Sequence, residues 1–390
     1  MAAHAKLSAS GAKRWMACTP SVAFESQYPN DTSTYAEEGT FAHELSELIL
    51  NYNLNNITKR TFNKKYKELQ TNQYYSQELM DYVEGYVNNV MEFVYTARSK
   101  CKDAVVLLEQ RLDFSTWVPE GFGTGDVVII ADGELHIIDL KYGKGVPVVA
   151  EDNPQLRLYG LGALSEFELL YDIVSVKMTI IQPRLDLLTS SELVVENLLE
   201  WAETTVKPKA ALAMNGEGEF VAGDHCKFCR GKATCRARAE KNLELTKFEF
   251  AKPDALMDEE IGEILKVAGQ LSDWIKDVQA YALDQAENHG KKFDGWKLVE
   301  GRSNRKYVDE IQVAKALKEK GYDEAIIYEK SLLGITAMEK AIGKKAFTET
   351  LGDLIIKPSG KPTLVVESDK RPELNTANSA KADFEEDMLS

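Results

Sequence analysis

Two carboxylates and an amine stand where the chain can bring them together. Asp126 ends Gly123-Thr-Gly-Asp126 and opens the apolar run Val127-Val-Ile-Ile130; Asp139 follows Leu135-His-Ile-Ile138, and Lys141 comes two residues later. The Asp132-Gly133 pair between the runs predicts a tight turn joining antiparallel strands, which would bring both acids to one sheet edge. Paired acidic oxygens beside an ammonium suit a hard divalent cation, Mg²⁺ or Mn²⁺, and a phosphodiester under attack. In such a site Asp126 and Asp139 ligate the cation, and Lys141 positions a water and stabilises developing charge. Gln155 and Tyr159 follow on a helix started by Asn153-Pro154, and their i, i+4 spacing puts them on one face. Tyr159 is read either as part of the site or as core packing. Glu109 interrupts the apolar run Val105-Val-Leu-Leu-Glu109 and is either a further acid near the metal or a solvent-facing edge residue.

These motifs resemble the RecB-like branch of the PD-(D/E)XK nucleases: a G-x-x-D at Asp126, a D-x-K at Asp139 and Lys141, and a Q-x-x-x-Y at Gln155 and Tyr159. Glu38-Gly-Thr-Phe-Ala-His43 resembles the family's segment with a histidine on an early helix, and the layout is similar to a phage-encoded group of RecB-like proteins. The resemblance covers about the first 240 residues and implies a restriction-endonuclease-like α/β fold, a mixed central sheet flanked by helices. It further implies that His43 and the backbone carbonyl of Leu140 join Asp126 and Asp139 around the metal. Gln155 would contact the nucleic-acid backbone or a metal-bound water. Glu38 is expected to cap the helix bearing His43.

Cys18, Cys226, Cys229 and Cys235 fit one plan: a tight C-x-x-C knuckle, one further cysteine and one remote one. Four thiolates on one centre would tie the N-terminal helix to the end of the nuclease-like region and close a very long loop. Tetrathiolate sites hold Zn²⁺ or an iron–sulfur cluster. Zinc sites made of cysteine usually pair two knuckles, and the asymmetry here is similar to the [4Fe–4S] pattern of AddB-type nucleases. The expected group is therefore [4Fe–4S], with Zn²⁺ the alternative. Cys101 reads as a free thiol, and His225 abuts the knuckle without being an expected ligand.

The surrounding elements follow from periodicity. Helical patterns are expected over about 37–51, 76–99, from Asn153, from Ser190 to about Met214, over 258–288, and near 311–320 and 336–351. Strands are expected over 104–112, 126–131, 135–140 and 173–181, with a short one at Phe293–Val299, where Trp296 with Arg302, Arg305 and Tyr307 either stacks bases and holds phosphates or is buried in a hairpin. The helix–strand–strand–strand–helix–strand order fits an α/β domain with a mixed sheet. The expected division is a nuclease domain over 1–245 with its four-cysteine staple, a mainly helical appendage over 246–366, and an acidic tail over 367–390.

A net charge of −15 over 390 residues argues against nucleic acid as a partner, because backbone binding needs cations facing phosphates. Distribution outweighs the sum: Lys227, Arg230, Lys232, Arg236, Arg238 and Lys241 make the cysteine region basic. A local positive groove on an acidic body is expected. No apolar run is long enough to span a bilayer and no signal peptide is visible, so the expected location is the cytoplasm, without membrane association. The expected function is a metal-dependent deoxyribonuclease, an exonuclease on DNA ends or single strands, with DNA and phage replication or recombination proteins as partners. The alternative is a non-catalytic DNA-binding or scaffold protein on the same fold, stabilised by an iron–sulfur or zinc site.

Overall fold

The computed structural model describes residues 5–29, 34–244, 257–299, 307–329, 332–351 and 354–355. The chain divides into two compact units, 1–289 and 290–390. The first opens with helices α1 (Ala12–Ala17), α2 (Ser21–Glu25), α3 (Thr34–Asn53), α4 (Lys59–Leu69) and α5 (Gln77–Lys100). A five-stranded sheet follows in spatial order β1 (Val105–Asp113), β2 (Phe122–Ala131), β3 (Gly133–Leu140), β4 (Ile173–Gln182) and β5 (Leu187–Val194). Helix α6 (Pro154–Phe167) links β3 to β4, and α7 (Val195–Trp201), α8 (Lys207–Asn215), α9 (Arg236–Leu243) and α10 (Asp258–His289) complete the unit.

The sheet is mixed for a covalent reason. Strands β1, β2 and β3 pair antiparallel, as do β4 and β5, while β3 and β4 are parallel. A parallel pair needs a crossover, and α6 supplies it. The Asp132-Gly133 turn forms as expected, with Gly133 at φ +88°, a conformation a side chain would resist. Both sheet faces are covered, which explains why β2 and β3 read as continuous apolar runs. Val128, Ile130, Leu135 and Ile137 pack toward α1, α6, α7 and α8, while Val127, Ile129, Ile138 and Leu140 pack toward α3 and α5.

Several expectations are corrected. Residues 187–194 form a strand, so the helix expected from Ser190 begins at Val195. Alternating burial along Leu187–Val194 and its pairing with β4 outweigh the local helical pattern. A π-helical turn at Ala202–Val206 then joins α7 to α8, where Pro208 has no N–H to donate to Thr204. Helix α4 is an addition to the expected elements: its apolar residues Phe62, Tyr66 and Leu69 are spaced for one face, but lysines and arginine dominate its composition. Strand β2 begins at Phe122, so Asp126 lies within it. The first unit also runs past the expected division at 245, because Asp277 of α10 takes Lys232 at 2.8 Å and Arg238 at 2.6 Å.

In the second unit, α11 (Glu310–Glu319), α12 (Glu324–Ile327), α13 (Ile335–Ile342) and α14 (Lys344–Leu351) make it helical among its described residues. Gly343, at φ +84°, divides the helix expected over 336–351. No strand forms at Phe293–Val299, and Trp296 is 81% exposed: a turn replaces the expected hairpin. Arg302, Arg305 and the acidic tail over 367–390 lie outside the described residues. No helix among the described residues is long and apolar enough to cross a membrane.

Candidate active site

Asp139 lies at the end of β3 and is 2% exposed. Gln155 Nε2, from the first turn of α6, donates to its Oδ1 at 3.0 Å and reaches the Tyr159 hydroxyl at 3.3 Å. Lys141 Nζ stands 2.8 Å from Asp139 Oδ2 and donates to Gln155 Oε1 at 2.9 Å. The two strand-end residues and the helix are therefore joined by one side-chain amide. Its helix is set locally: Asn153 caps α6 by accepting from the N–H groups of Gln155 and Leu156, and Pro154 follows the cap. Burial works against the Lys141 ammonium, but Asp139 outweighs it and holds the amine charged. Burial pushes the Asp139 carboxyl upward, Lys141 pulls it down, and Asp126 adds to the rise.

A second group sits beside the first. His43 from the middle of α3 places Nδ1 3.3 Å from Asp126 Oδ1. His43, Glu109 and Asp126 each offer a ligand atom, and these lie within 4.8 Å of one another. The Leu140 N–H donates to Asp126 Oδ2 at 2.6 Å, tying this group to the end of β3. Leu140 thus enters the site through its amide. The pairing of β1 with β2 passes from Leu108–Val127 to Gln110–Gly125, skipping Glu109 and Asp126. Glu109 holds φ +47° there, a costly conformation for a non-glycine residue and one that concentrates at functional sites. The left-handed residue breaks the alternation of β1, and Glu109 is solvent-exposed on this edge strand while still offering a ligand atom to the group.

The electrostatics of this group are those of acids crowded together. Partial burial and Asp126 push Glu109 up to about 7, against the pull of His43. Burial disfavours charge on His43, but Asp126 raises it to about 9, with Asp139 and Glu109 adding. Asp139 lies outside the three-residue donor group, because Gln155 and Lys141 hold it. Its Oδ2 is buried and takes the Lys141 ammonium as its partner at 2.8 Å. One imidazole and two carboxylates are a donor set that fits Mg²⁺ or Mn²⁺, imidazole favouring the latter.

His43, Asp126, Asp139, Leu140, Lys141, Gln155 and Tyr159 thus stand together around α3, β2, β3 and α6, with Leu140 contributing its N–H where its carbonyl was expected. Glu38 does not cap: α3 begins at Thr34, and Glu38, a turn further on, takes Arg184 at 3.0 Å. Arg184 also lies over the Tyr142 ring, 4.9 Å from its centroid. Nothing in the sequence marked Arg184, since only the β4–β5 connection brings it to α3.

The four cysteines Cys18, Cys226, Cys229 and Cys235 line one small cavity, as free thiols. Arg14 and Glu25 brace it. Arg14 Nε pairs with Glu25 at 2.9 Å, its guanidinium donates to the Phe228 carbonyl at 3.2 Å, and Glu25 accepts the Arg230 N–H at 2.7 Å. Burial, with Glu25 adding, pushes the Cys229 thiol up to about 12. Cys101 lies apart and donates to Asp103.

The chain belongs to the family described as "Protein of unknown function (DUF2800)", whose model matches residues 4–372. A solved structure titled "Crystal structure of SSO0001" is similar at 16% identity, over 50% of this chain and 85% of that one, with a TM-score of 0.22. That overlap is too slight to bear on fold or function.

Proposed function

We propose that this protein is a metal-dependent deoxyribonuclease of the RecB-like PD-(D/E)XK type, acting on DNA ends or single strands in phage replication or recombination. The single observation that carries this reading is the pairing of the His43–Glu109–Asp126 donor group with a charged Lys141 held by Asp139 and Gln155. His43, Glu109, Asp126 and Asp139 would hold Mg²⁺ or Mn²⁺. When bound, the cation supplies Lewis acidity toward a phosphoryl oxygen and lowers the pKa of water. Lys141, kept protonated by Asp139, offers positive charge where it develops on the phosphate. Gln155 fixes the position of both partners and leaves the amine one direction in which to act. Tyr159 supports Gln155 from the next helical turn. No residue here is proposed to form a covalent intermediate.

The spacing of the four cysteines, one C-x-x-C knuckle with one near and one remote partner, supports [4Fe–4S], with Zn²⁺ the alternative. A scaffold without catalysis is the second reading, and the intact Asp126, Asp139 and Lys141 speak against it, since a scaffold has no need of that set.

The test is direct. End-labelled single- and double-stranded DNA is incubated with Mg²⁺ or Mn²⁺ and with wild type, Asp139→Ala or Lys141→Ala. Cleavage by the wild type that falls roughly 100-fold or more in both variants, with unchanged circular dichroism, is the expected result. Equal cleavage by Lys141→Ala would move the chemistry elsewhere, and no cleavage by the wild type would leave the scaffold reading.

A further inference from the structure

A groove of about 980 Å³ in the first unit lies away from the candidate active site. It runs along α1, the cysteine knuckle, α9 and α10. Eight lysines and arginines line it against three aspartates, in a protein whose net charge is −15. Those three acids are already engaged. Asp277 takes Lys232 and Arg238, Asp273 takes Lys276, and Asp224 accepts from Gln270 at 3.1 Å. Lys13, Lys227 and Lys266 all face solvent, and among the described residues none has an ion-pair partner. The groove therefore carries uncompensated positive charge.

An aromatic ring stands in the same wall. Phe228 is 61% exposed, inside the knuckle Cys226-Lys-Phe-Cys229. Its backbone is rigidly held: Arg14 donates to its carbonyl, and the Cys229 N–H donates to Cys226 at 3.1 Å. A flat apolar face flanked by ammonium groups is what stacks a base while the phosphates on either side are neutralised. The far edge of the groove is Val146-Pro147, in the loop that leaves Lys141. Five residues of chain reach at most about 18 Å, so the groove opens close to the candidate active site. Gln182 pins that loop by donating to Val146 at 3.0 Å and accepting from the Val148 N–H at 3.0 Å. Ligands of drug size fill roughly 300–1,000 Å³, so this volume takes a few nucleotides of one strand.

We infer that the cation-lined groove beside the cysteine knuckle binds single-stranded DNA, with a base stacked on Phe228 and phosphates held by Lys13, Lys227 and Lys266. This deepens the nuclease reading and rests on it for the identity of the polymer, but the binding is separable from cleavage.

The test uses the full chain without added divalent cation, so that no strand is cut, and follows the anisotropy of a labelled oligothymidylate across a salt series. Wild type is expected to bind it more tightly than a duplex of equal length. Phe228→Ala should weaken binding about 5- to 50-fold with little change in salt dependence. The triple variant Lys13→Ala/Lys227→Ala/Lys266→Ala should flatten the slope of log K against log salt by about 2. All four side chains are exposed, and the metal content of each variant reports whether the knuckle is intact. Unchanged affinity in both variants, a preference for duplex, or equal binding of polyglutamate would each overturn the assignment. Loss of cleavage in the Asp139→Ala assay with binding intact would leave the groove standing, whereas cleavage with unaltered groove variants would remove the groove alone.

Discussion

The ring of Tyr159 lies against the α-carbon of Gly123, where a methyl group would stand 2.7 Å from Cε1. The glycine that opens the G-x-x-D run is thus the floor on which the Q-x-x-x-Y tyrosine rests. Two motifs well separated along the chain meet by shape. Gly123→Ala should force the ring away and with it Gln155, at a cost of about 1–3 kcal/mol. The double variant Gly123→Ala/Tyr159→Ala should lose less stability than the sum of the two singles. Denaturant titration measures the cycle, and strictly additive losses would mean the contact carries no energy.

Glu109 sits in a left-handed backbone and among acids. Neutralising it removes repulsion from Asp126, so Glu109→Gln is expected to melt at a higher temperature than wild type without metal. Saturating Mn²⁺ at about 100 times its dissociation constant should stabilise wild type by about 2.7 kcal/mol and the variant by much less. Differential scanning fluorimetry with and without Mn²⁺ reads both effects. A variant stabilised by Mn²⁺ as strongly as wild type would exclude Glu109 from the ligands.

His136 offers a pH dependence away from the candidate metal site. It is 4% exposed, its Nε2 lies 2.8 Å from the Thr179 hydroxyl, and Phe93 meets it edge-on at 4.9 Å. Burial, with Lys177 adding, drives its pKa down to about 3. The folded protein therefore keeps His136 neutral while the unfolded chain takes up a proton below about 6.5. Its contribution to stability is complete above that pH and is lost as the pH falls, by about 2 kcal/mol between pH 8 and pH 5. Urea unfolding at the two pH values should show a smaller difference in His136→Gln. An identical difference would assign the acid sensitivity to other groups.

The knuckle should behave as a staple. Replacing Cys18 or Cys229 by serine is expected to abolish metal retention and to destabilise the first unit by several kcal/mol, because each closes a long loop. Anaerobic purification, with iron and zinc counted by mass spectrometry, measures occupancy. Iron near four atoms per chain with a visible absorption band is the expected outcome; metal-free protein of unchanged melting temperature would reject a bound centre.

Asp277 holds α10 to the knuckle through Lys232 and Arg238. Arg238 is 7% exposed, so Asp277→Ala leaves a nearly buried guanidinium without its partner, at a cost of about 3 kcal/mol. Limited proteolysis should then cut α10 faster while the sheet stays protected. Identical cleavage patterns would show that α10 is held by other contacts.

What the chain of residues determined by itself was the succession of the first four strands with the crossover helix, the tight turn at Gly133 and the place of the motif residues along them. Those follow from short-range rules: alternation of side chains, the demand for φ > 0 in a two-residue turn, and the need for a crossover before a parallel strand. The tertiary structure alone decided what the motif residues touch. Glu109 became a donor because the β1–β2 ladder skips one pair. Arg184 found Glu38 across 146 positions, and α10 joined the first unit through Asp277 and Gln270. Phe228 became a groove wall only when helices distant in sequence converged. Each of these is a long-range pairing whose strength depends on burial and geometry, and none exists until the chain has closed on itself.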